Sequence, residues 1–191
     1  MSIDLIKQTA PFSILNETDQ ELFLSKFRPL NLKKNDLFIK EGQYNQLIGF
    51  IVKGCMMCSF NKNGKDHIEE FSFENEFITD YRNLLTQSAS DKNVICLEDT
   101  DLLVVTYNEM QKLYEQKPIF ERIGRMIAES LFMNWQEKAK SFLLDDAEER
   151  YFKLITHKPD LFQRVPQYLI ASYLGVNPET LSRIRKKIAQ H

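Results

Sequence analysis

The stretch Gln167 to Lys187, QYLIASYLGVNPETLSRIRKK, has the residue spacing of a helix-turn-helix. Ala171, its fifth residue, lies where two helices would cross and only a small side chain fits. Gly175, its ninth, lies at the turn, where glycine adopts a positive φ without steric cost. Apolar residues lie at the positions that bury the two helices against each other, namely Ile170, Leu174, Val176, Leu181 and Ile184. The stretch therefore predicts two packed helices joined by a tight turn.

The second helix of this motif has a start signal and a polar outer face. Asn177 is its predicted N-cap, and Pro178 is the first helical residue, where a missing N–H costs nothing. Donor side chains suited to phosphates and base edges follow on the unburied face: Thr180, Ser182, Arg183, Lys186 and Lys187. An αα-hairpin of an unrelated helical protein shares the apolar spacing but does not require that face. The motif therefore predicts binding to double-stranded DNA.

The charge of the 191-residue chain is segregated along its length. From Gln163 onward there are five basic residues and one acidic residue, so this segment carries +4, whereas the whole chain carries −2 and the preceding part therefore −6. A basic end suits phosphates, and an acidic remainder discourages non-specific adhesion. The 43% hydrophobic content supports a substantial core.

The chain has no apolar run long enough to cross a bilayer, and the segment Met1 to Lys7 lacks the apolar region of a signal peptide. We expect a cytoplasmic protein without membrane contact. The cysteines Cys55, Cys58 and Cys96 are an odd number, which argues against a disulfide framework. Cys55 and Cys58 lie three apart on a predicted strand and should point to opposite faces, so we expect no metal site there.

Short β segments occupy the middle of the chain, after about thirty residues that we predict to form short helices. Glycine and asparagine turns separate these segments, and Asn63-Gly64 resembles a hairpin tip. Even spacing of short strands favours a sandwich or barrel. The predicted strands are Asp36–Lys40, Ile48–Lys53, Cys55–Asn61, Asp66–Phe73, Asn93–Glu98 and Leu102–Thr106.

The pattern becomes helical after Thr106. A short helix is predicted from Asn108 to Gln116, and a long one from Pro118 to about Phe142. Its apolar stripe comprises Ile119, Ile123, Met126, Ile127, Ser130, Leu131, Met133 and Asn134, and its opposite face Glu121, Arg122, Arg125, Glu129 and Lys138. This stripe is longer than one small domain usually covers, so we predict dimerisation along this helix; packing against the chain's own β domain is the alternative.

A capping box at Asp146 and Glu149 starts a further helix. It makes three helices with those after Pro166 and Pro178, the minimum that buries a helix-turn-helix, and a linker is predicted near 141–145. We therefore divide the chain into an effector domain at residues 1–117, a dimerisation helix at 118–142 and a DNA-binding domain at 143–191.

This order of elements resembles the cyclic-AMP receptor protein and fumarate-nitrate regulator (CRP/FNR) superfamily of bacterial transcription factors. The resemblance is strongest over 169–183, and it includes Phe50-Ile-Val-Lys-Gly54 and Leu102 to Leu113. It implies an α+β fold: an antiparallel β-roll (a jelly roll of cyclic-nucleotide-binding type), a long central helix and a C-terminal helix-turn-helix domain. The family's recognition helix is followed by a two-stranded wing. We predict that the wing is reduced or absent, because the chain stops at His191.

The resemblance also implies where an effector would bind. In the family, a Gly-Glu pair and an Arg-Ser pair hold the phosphate of a cyclic nucleotide; here they fall on Thr79-Asp80 and Ser90-Asp91. The phosphate-binding arginine is therefore absent, and Arg82 and Lys92 are out of register. We expect a degenerate pocket of Thr79, Asp80, Arg82, Ser90 and Asp91, with an unknown effector or none. Iron-sulfur sensing needs four thiolates, and the chain has three.

The resulting prediction is a homodimeric transcription regulator that reads a pseudo-palindromic site through the major groove, with RNA polymerase as a further partner. By resemblance, Glu179 accepts from cytosine and Arg183 donates to guanine. Phosphate contacts are assigned to Thr180, Ser182, Arg185, Lys186 and Lys187. One alternative is a ligand-binding or interaction protein without DNA activity. Another is an enzyme built on the roll, but metal chemistry there would need several histidines and only His67 lies in the β region.

Overall fold

The computed structural model describes residues 10–188. Two antiparallel four-stranded sheets form a roll, with a long helix and a cluster of shorter helices after it. The segment Met1 to Lys7, on which the signal-peptide prediction rests, lies outside this range. So do the residues after Ile188, and the prediction about the wing stays a prediction.

One sheet has the strand order β1-β8-β3-β6 and the other β2-β7-β4-β5. All the predicted strands are confirmed within one to two residues. The first and sixth strands were not predicted: β1 lies partly in the region assigned to helices, and its long-range pairing with β8 at a sheet edge tolerates Pro29. The strands are β1 (Arg28–Leu32), β2 (Leu37–Ile39), β3 (Leu47–Lys53), β4 (Met56–Lys62), β5 (Lys65–Ser72), β6 (Phe77–Ile78), β7 (Asn93–Cys96) and β8 (Thr100–Thr106).

The predicted hairpin tip joins β4 to β5. Lys62 pairs with Lys65, and the two residues between them have positive φ, +55° at Asn63 and +76° at Gly64. Positive φ at both central residues is the two-residue turn whose twist matches the flanking strands. Asn63-Gly64 thus fixes the register of this hairpin.

The helices follow the predicted order with three differences. The long helix continues two residues past Phe142, so that only Asp145 and Asp146 separate it from the next helix. A short helix not predicted from the sequence, beginning at Leu161, follows Pro159. The segment 81–86 is helical, with Asp80 as its cap. The helices are a 3-10 helix (Ala10–Ile14), α1 (Glu17–Leu24), α2 (Tyr81–Thr86), α3 (Tyr107–Gln116), α4 (Pro118–Leu144), α5 (Ala147–His157), α6 (Leu161–Arg164), α7 (Gln167–Tyr173) and α8 (Pro178–Ile188).

Both faces of the sheet that contains β4 and β7 are buried. Met56 and Cys58 point into the roll, whereas Met57 and Ile95 point outward, as alternation along a strand requires. The outer face packs against α5 to α8, in a cluster that includes Phe71, Leu161, Val165 and Ile170. The helix-turn-helix domain is therefore docked on the roll of its own chain.

The first half of α4 is buried against the roll, whereas most apolar side chains of the second half are exposed. Phe120 and Ile123 are fully buried with Phe23 on the outer face of the other sheet. Beyond them, Met126, Ile127 and Leu131 of the predicted stripe are half-buried, and Ser130, Met133 and Asn134 are exposed. Phe132, outside that stripe, is 65% exposed. The stripe therefore divides between packing on the chain's own domain and an open face.

Candidate functional site

The helix-turn-helix has the predicted core. Ile170, Ala171 and Leu181 are essentially inaccessible, and Gly175 has a φ of +71°. A Cβ at Gly175 would lie 3.3 Å from the Phe142 ring, so the end of α4 packs against the turn. The backbone N–H of Thr180 donates to the Asn177 side chain at 2.8 Å, which confirms Asn177 as the cap of α8.

The face of α8 opposite that core carries the predicted DNA contacts. Glu179, Ser182, Arg183 and Lys186 are exposed, whereas Thr180 and Arg185 are half-buried. Nη2 of Arg183 donates to the Thr180 hydroxyl at 3.3 Å. The exposed face of α8 (Glu179, Ser182, Arg183 and Lys186) thus combines one carboxylate with two cations and is open to a large partner.

Lys187 differs from the other predicted contacts because it has an anionic partner. Its Nζ lies 2.7 Å from Oε2 of Glu148 on α5. Both side chains are substantially exposed, 61% for Lys187 and 40% for Glu148, so this pair is weak in water and a phosphate can compete for the lysine. Among the predicted contacts, Lys187 is therefore less available to another anion.

A cleft of about 1050 Å³ lies between the roll, α4 and the helix-turn-helix domain. The roll contributes Glu69 and Lys92, α4 contributes Trp135 and Lys138, and α7 contributes Tyr173. Apolar side chains form most of the accessible lining, and thirteen charged residues also lie along it. The cleft is the candidate effector site.

The residues aligned with the family's phosphate-binding pairs meet at one side of this cleft. Asp80 is buried, caps α2 by accepting from the N–H of Asn83, and accepts from the Ser90 hydroxyl at 2.8 Å. Thr79 donates its hydroxyl to the carbonyl of Leu47. The aspartate and the serine thus satisfy each other and hold the loop around α2 in place.

The cations near that position already have anionic partners. Arg82 pairs with Asp91 at 2.9 Å on the surface, so the acidic side chain that we expected to repel an anion is itself paired. Lys92 donates to both oxygens of Glu69, at 3.0 and 2.7 Å, with both side chains at least 86% buried. Sγ of Cys58 donates to the same carboxylate. An anion in the cleft would have to compete with Glu69 for Lys92.

Lys138 does not lie on an exposed polar face of α4, as the sequence pattern predicted. Its Nζ donates to the carbonyl of Glu69 and lies 4.2 Å from the centre of the Tyr173 ring. Burial lowers the pKa of Lys138, and nearby Glu70 and Glu69 oppose that effect. The sequence analysis did not predict Glu69, Trp135, Lys138 and Tyr173 as cleft residues, because only long-range packing brings them together.

Cys55 and Cys58 lie in different clusters, one against the helix-turn-helix domain and the other inside the roll. Burial raises the pKa of the Cys55 thiol to about 12 and that of Cys58 further. Within residues 10–188, no group of three or more His, Cys, Asp or Glu side chains is placed to hold a metal ion. None of the helices in the same range has the length and apolar character needed to cross a membrane.

Comparison with known proteins agrees with this architecture. The family model for the cyclic nucleotide-binding domain matches residues 29–117. FixK2 from Bradyrhizobium japonicum has 16% identity and a TM-score of 0.69, covering 86% of this chain and 85% of that one. A variant of CooA from Carboxydothermus hydrogenoformans has 13% identity and a TM-score of 0.68, covering 98% and 84%.

The catabolite activator protein of Thermus thermophilus has 18% identity and a TM-score of 0.60, with coverage of 95% of this chain and 87% of that one. No curated protein sequence matches. Residues 29–117 are therefore similar to cyclic nucleotide-binding domains, and the chain as a whole has the fold that FixK2, CooA and the catabolite activator protein share.

Proposed function

We propose that this chain is a DNA-binding transcription regulator that acts as a homodimer in the cytoplasm and works with RNA polymerase. The observation that carries the proposal is the exposed face of α8, which presents Arg183 and Lys186 outward while Leu181 and Ile184 anchor the helix. A helix of this kind enters a major groove, with cations contacting phosphates and a guanidinium reading guanine.

The open part of α4 supports the homodimer. Phe132 and Met133 are 65% and 53% exposed, and Leu143 and Leu144 are 83% and 72% exposed. Large apolar side chains clustered on one helix are typical of an interface. A second copy paired along α4 would place two α8 helices about one turn of DNA apart, roughly 34–36 Å, and a two-fold axis requires a pseudo-palindromic site.

The pairing of Lys92 with Glu69 supports an effector other than a cyclic nucleotide. A cyclic phosphate needs an available cation, and this one is buried beside its own carboxylate. We therefore propose that the cleft takes a different small molecule or none. Isothermal calorimetry with cyclic AMP and cyclic GMP tests this point, because binding of either at micromolar concentration would contradict it.

Fluorescence anisotropy with duplex DNA tests the function itself. We expect affinity that falls linearly with the logarithm of salt concentration, with a slope of about −0.9 for each phosphate neutralised. Arg183→Ala with Lys186→Ala should abolish most of this binding without changing the circular dichroism. Absence of any salt-dependent affinity in the wild-type chain would instead favour an interaction protein that retains the helix-turn-helix only for packing.

A further inference from the structure

A half-buried ion-pair cluster fastens the helix-turn-helix domain to the roll. Arg164, the last residue of α6, donates Nη1 and Nη2 to the two carboxylate oxygens of Glu74, at 2.8 and 2.9 Å. Nη2 also donates to the carboxylate of Glu98. We call Arg164, Glu74 and Glu98 the Arg164 clamp. One guanidinium is thus held by two separate segments of the roll, one after β5 and one after β7.

The Arg164 clamp is more constrained than a surface ion pair. The Arg164 side chain is 25% exposed and lies over the Phe73 ring, whereas Lys33 and Asp99, an exposed pair on the roll, are 81% and 62% exposed. Burial acts to raise the pKa of Glu74, but Arg164 and the N–H of Gly54 hold it at about 2. A planar guanidinium bound at both oxygens fixes orientation as well as distance.

A second cation and an apolar contact act beside the clamp. Nζ of Lys158 lies 2.6 Å from the carbonyl of Phe71 and 3.3 Å from carboxylate oxygens of Glu70 and Glu76. Leu161 and Val165 pack against the same sheet face in the shared cluster. The domain is therefore held at several points that prevent it from rotating.

The docking leaves the exposed face of α8 free. Arg164 is turned away from solvent onto the roll, so it does not contribute to the basic DNA surface that the charge pattern of the C-terminal segment predicted.

Two recognition helices of a dimer bind tightly only if their spacing is set before DNA arrives, because ordering them on the duplex costs affinity. The covalent link between α4 and α5 consists only of Asp145 and Asp146 and does not fix that spacing by itself.

We infer that Arg164 is a positioning residue for DNA recognition: the Arg164 clamp fixes the recognition helix relative to the roll and so pre-organises the dimer for its site. The inference rests on the proposed function for its DNA part. A clamp that only added stability would instead change specific and random DNA binding equally.

The first readout is the distance between the two domains. Spin labels at Lys62→Cys on the roll and Thr156→Cys on α5 report it by pulsed electron resonance, since the native thiols are buried. Labelled chains are diluted with an excess of the same chain without labels, so that each proposed dimer carries one labelled copy, and the wild-type background should then give one narrow distribution. Arg164→Glu places three carboxylates together and should broaden it. Arg164→Met, which removes the cation without adding a charge, should broaden it less.

The second readout is DNA affinity at matched salt. Arg164→Glu should weaken binding to a selected site by about tenfold and binding to random duplex by less than about twofold. In the double variant Arg164→Glu with Glu98→Arg, the cluster again has one cation and two carboxylates, and Glu74 can still accept from the N–H of Gly54. This double variant should therefore restore both the distance distribution and the DNA affinity. Lys33→Glu, a charge reversal on the exposed pair, is the matched control and should change neither.

An unchanged distance distribution in Arg164→Glu would overturn the inference. A broadened distribution with unaltered preference for the selected site would also overturn it, because the clamp would then hold the domain without serving recognition. A wild-type chain that binds no duplex would overturn the proposed function and the DNA role of Arg164, while the distances would still decide whether the clamp holds the domains.

Discussion

The ammonium group of Lys138 lies over the face of Tyr173, 4.2 Å from the ring centre, and joins the long helix α4 to the first helix of the helix-turn-helix. The same group donates to the carbonyl of Glu69 on the roll. One side chain thus contacts all three parts of the molecule at the wall of the cleft. A ligand in the cleft would lie directly against residues that hold the DNA-binding domain.

Replacing Lys138 should therefore reduce stability more than replacing a lysine at the surface of the same helix. We expect Lys138→Met to lower the free energy of unfolding by about 1–3 kcal/mol, because a charge-assisted hydrogen bond and a cation–π contact are lost. Lys140→Met, at an exposed position two residues away, is the control and should stay within about 0.5 kcal/mol. Equal values for the two variants in urea denaturation would contradict the assignment.

Charged substitutions at the exposed apolar side chains of α4 should disrupt the proposed dimer. Phe132→Glu with Leu143→Glu places charges in a face that would be buried between two copies, so the mass measured by light scattering should fall from that of a dimer to 22.5 kDa. Leu85→Glu, at an exposed leucine on α2, serves as the control and should leave the mass unchanged. A wild-type chain that is monomeric at micromolar concentration would contradict the proposed dimer.

On α8, the proposed division of labour separates one side chain that reads sequence from another that contributes charge. Arg183→Ala should reduce discrimination between bases by about 1–3 kcal/mol. Lys186→Ala should weaken all sequences alike and flatten the salt slope by about one unit. Lys187→Ala should have a smaller effect, since Glu148 already pairs with that lysine. Equal losses on selected and random DNA for Arg183→Ala would refute this division.

The low pKa of the Glu74 carboxylate predicts that the free energy of unfolding falls at acid pH. Its pKa is about 2 in the folded chain, below the ordinary value of 4.5, so its stabilising contribution is complete above about pH 4.5 and is lost as pH falls towards 2. Arg164→Met should remove part of this dependence, and the unfolding free energy of that variant should fall less steeply over the same window. Parallel curves for wild type and variant would show that Arg164 does not set this pKa.

Local sequence rules were sufficient wherever one short segment decides the conformation. The small residue at Ala171, the positive φ at Gly175, the Asn177 cap and the Asn63-Gly64 turn could all be predicted because each depends on residues within a few positions. The β-roll could be predicted as a class from regularly spaced short strands. Such features depend little on tertiary partners.

Features set by long-range packing could not be predicted in the same way. Lys138 falls on the polar side of the periodicity in α4, yet the roll and Tyr173 surround it, because neighbours rather than periodicity decide which face of this helix is buried. Arg164 belongs to the basic C-terminal segment by charge counting but pairs with Glu74 and Glu98, which are 90 and 66 residues away. The cleft depends on such pairings and has no local sequence signal.

Selection of duplexes from a random pool by the wild-type chain tests whether this protein reads DNA as a dimer. We expect enrichment of a two-fold symmetric sequence whose half-sites are centred about 10–10.5 base pairs apart, one helical turn. Enrichment of an unpaired single half-site, or recovery of a pool as random as the one supplied, would contradict the proposal that this chain is a dimeric regulator reading DNA through α8.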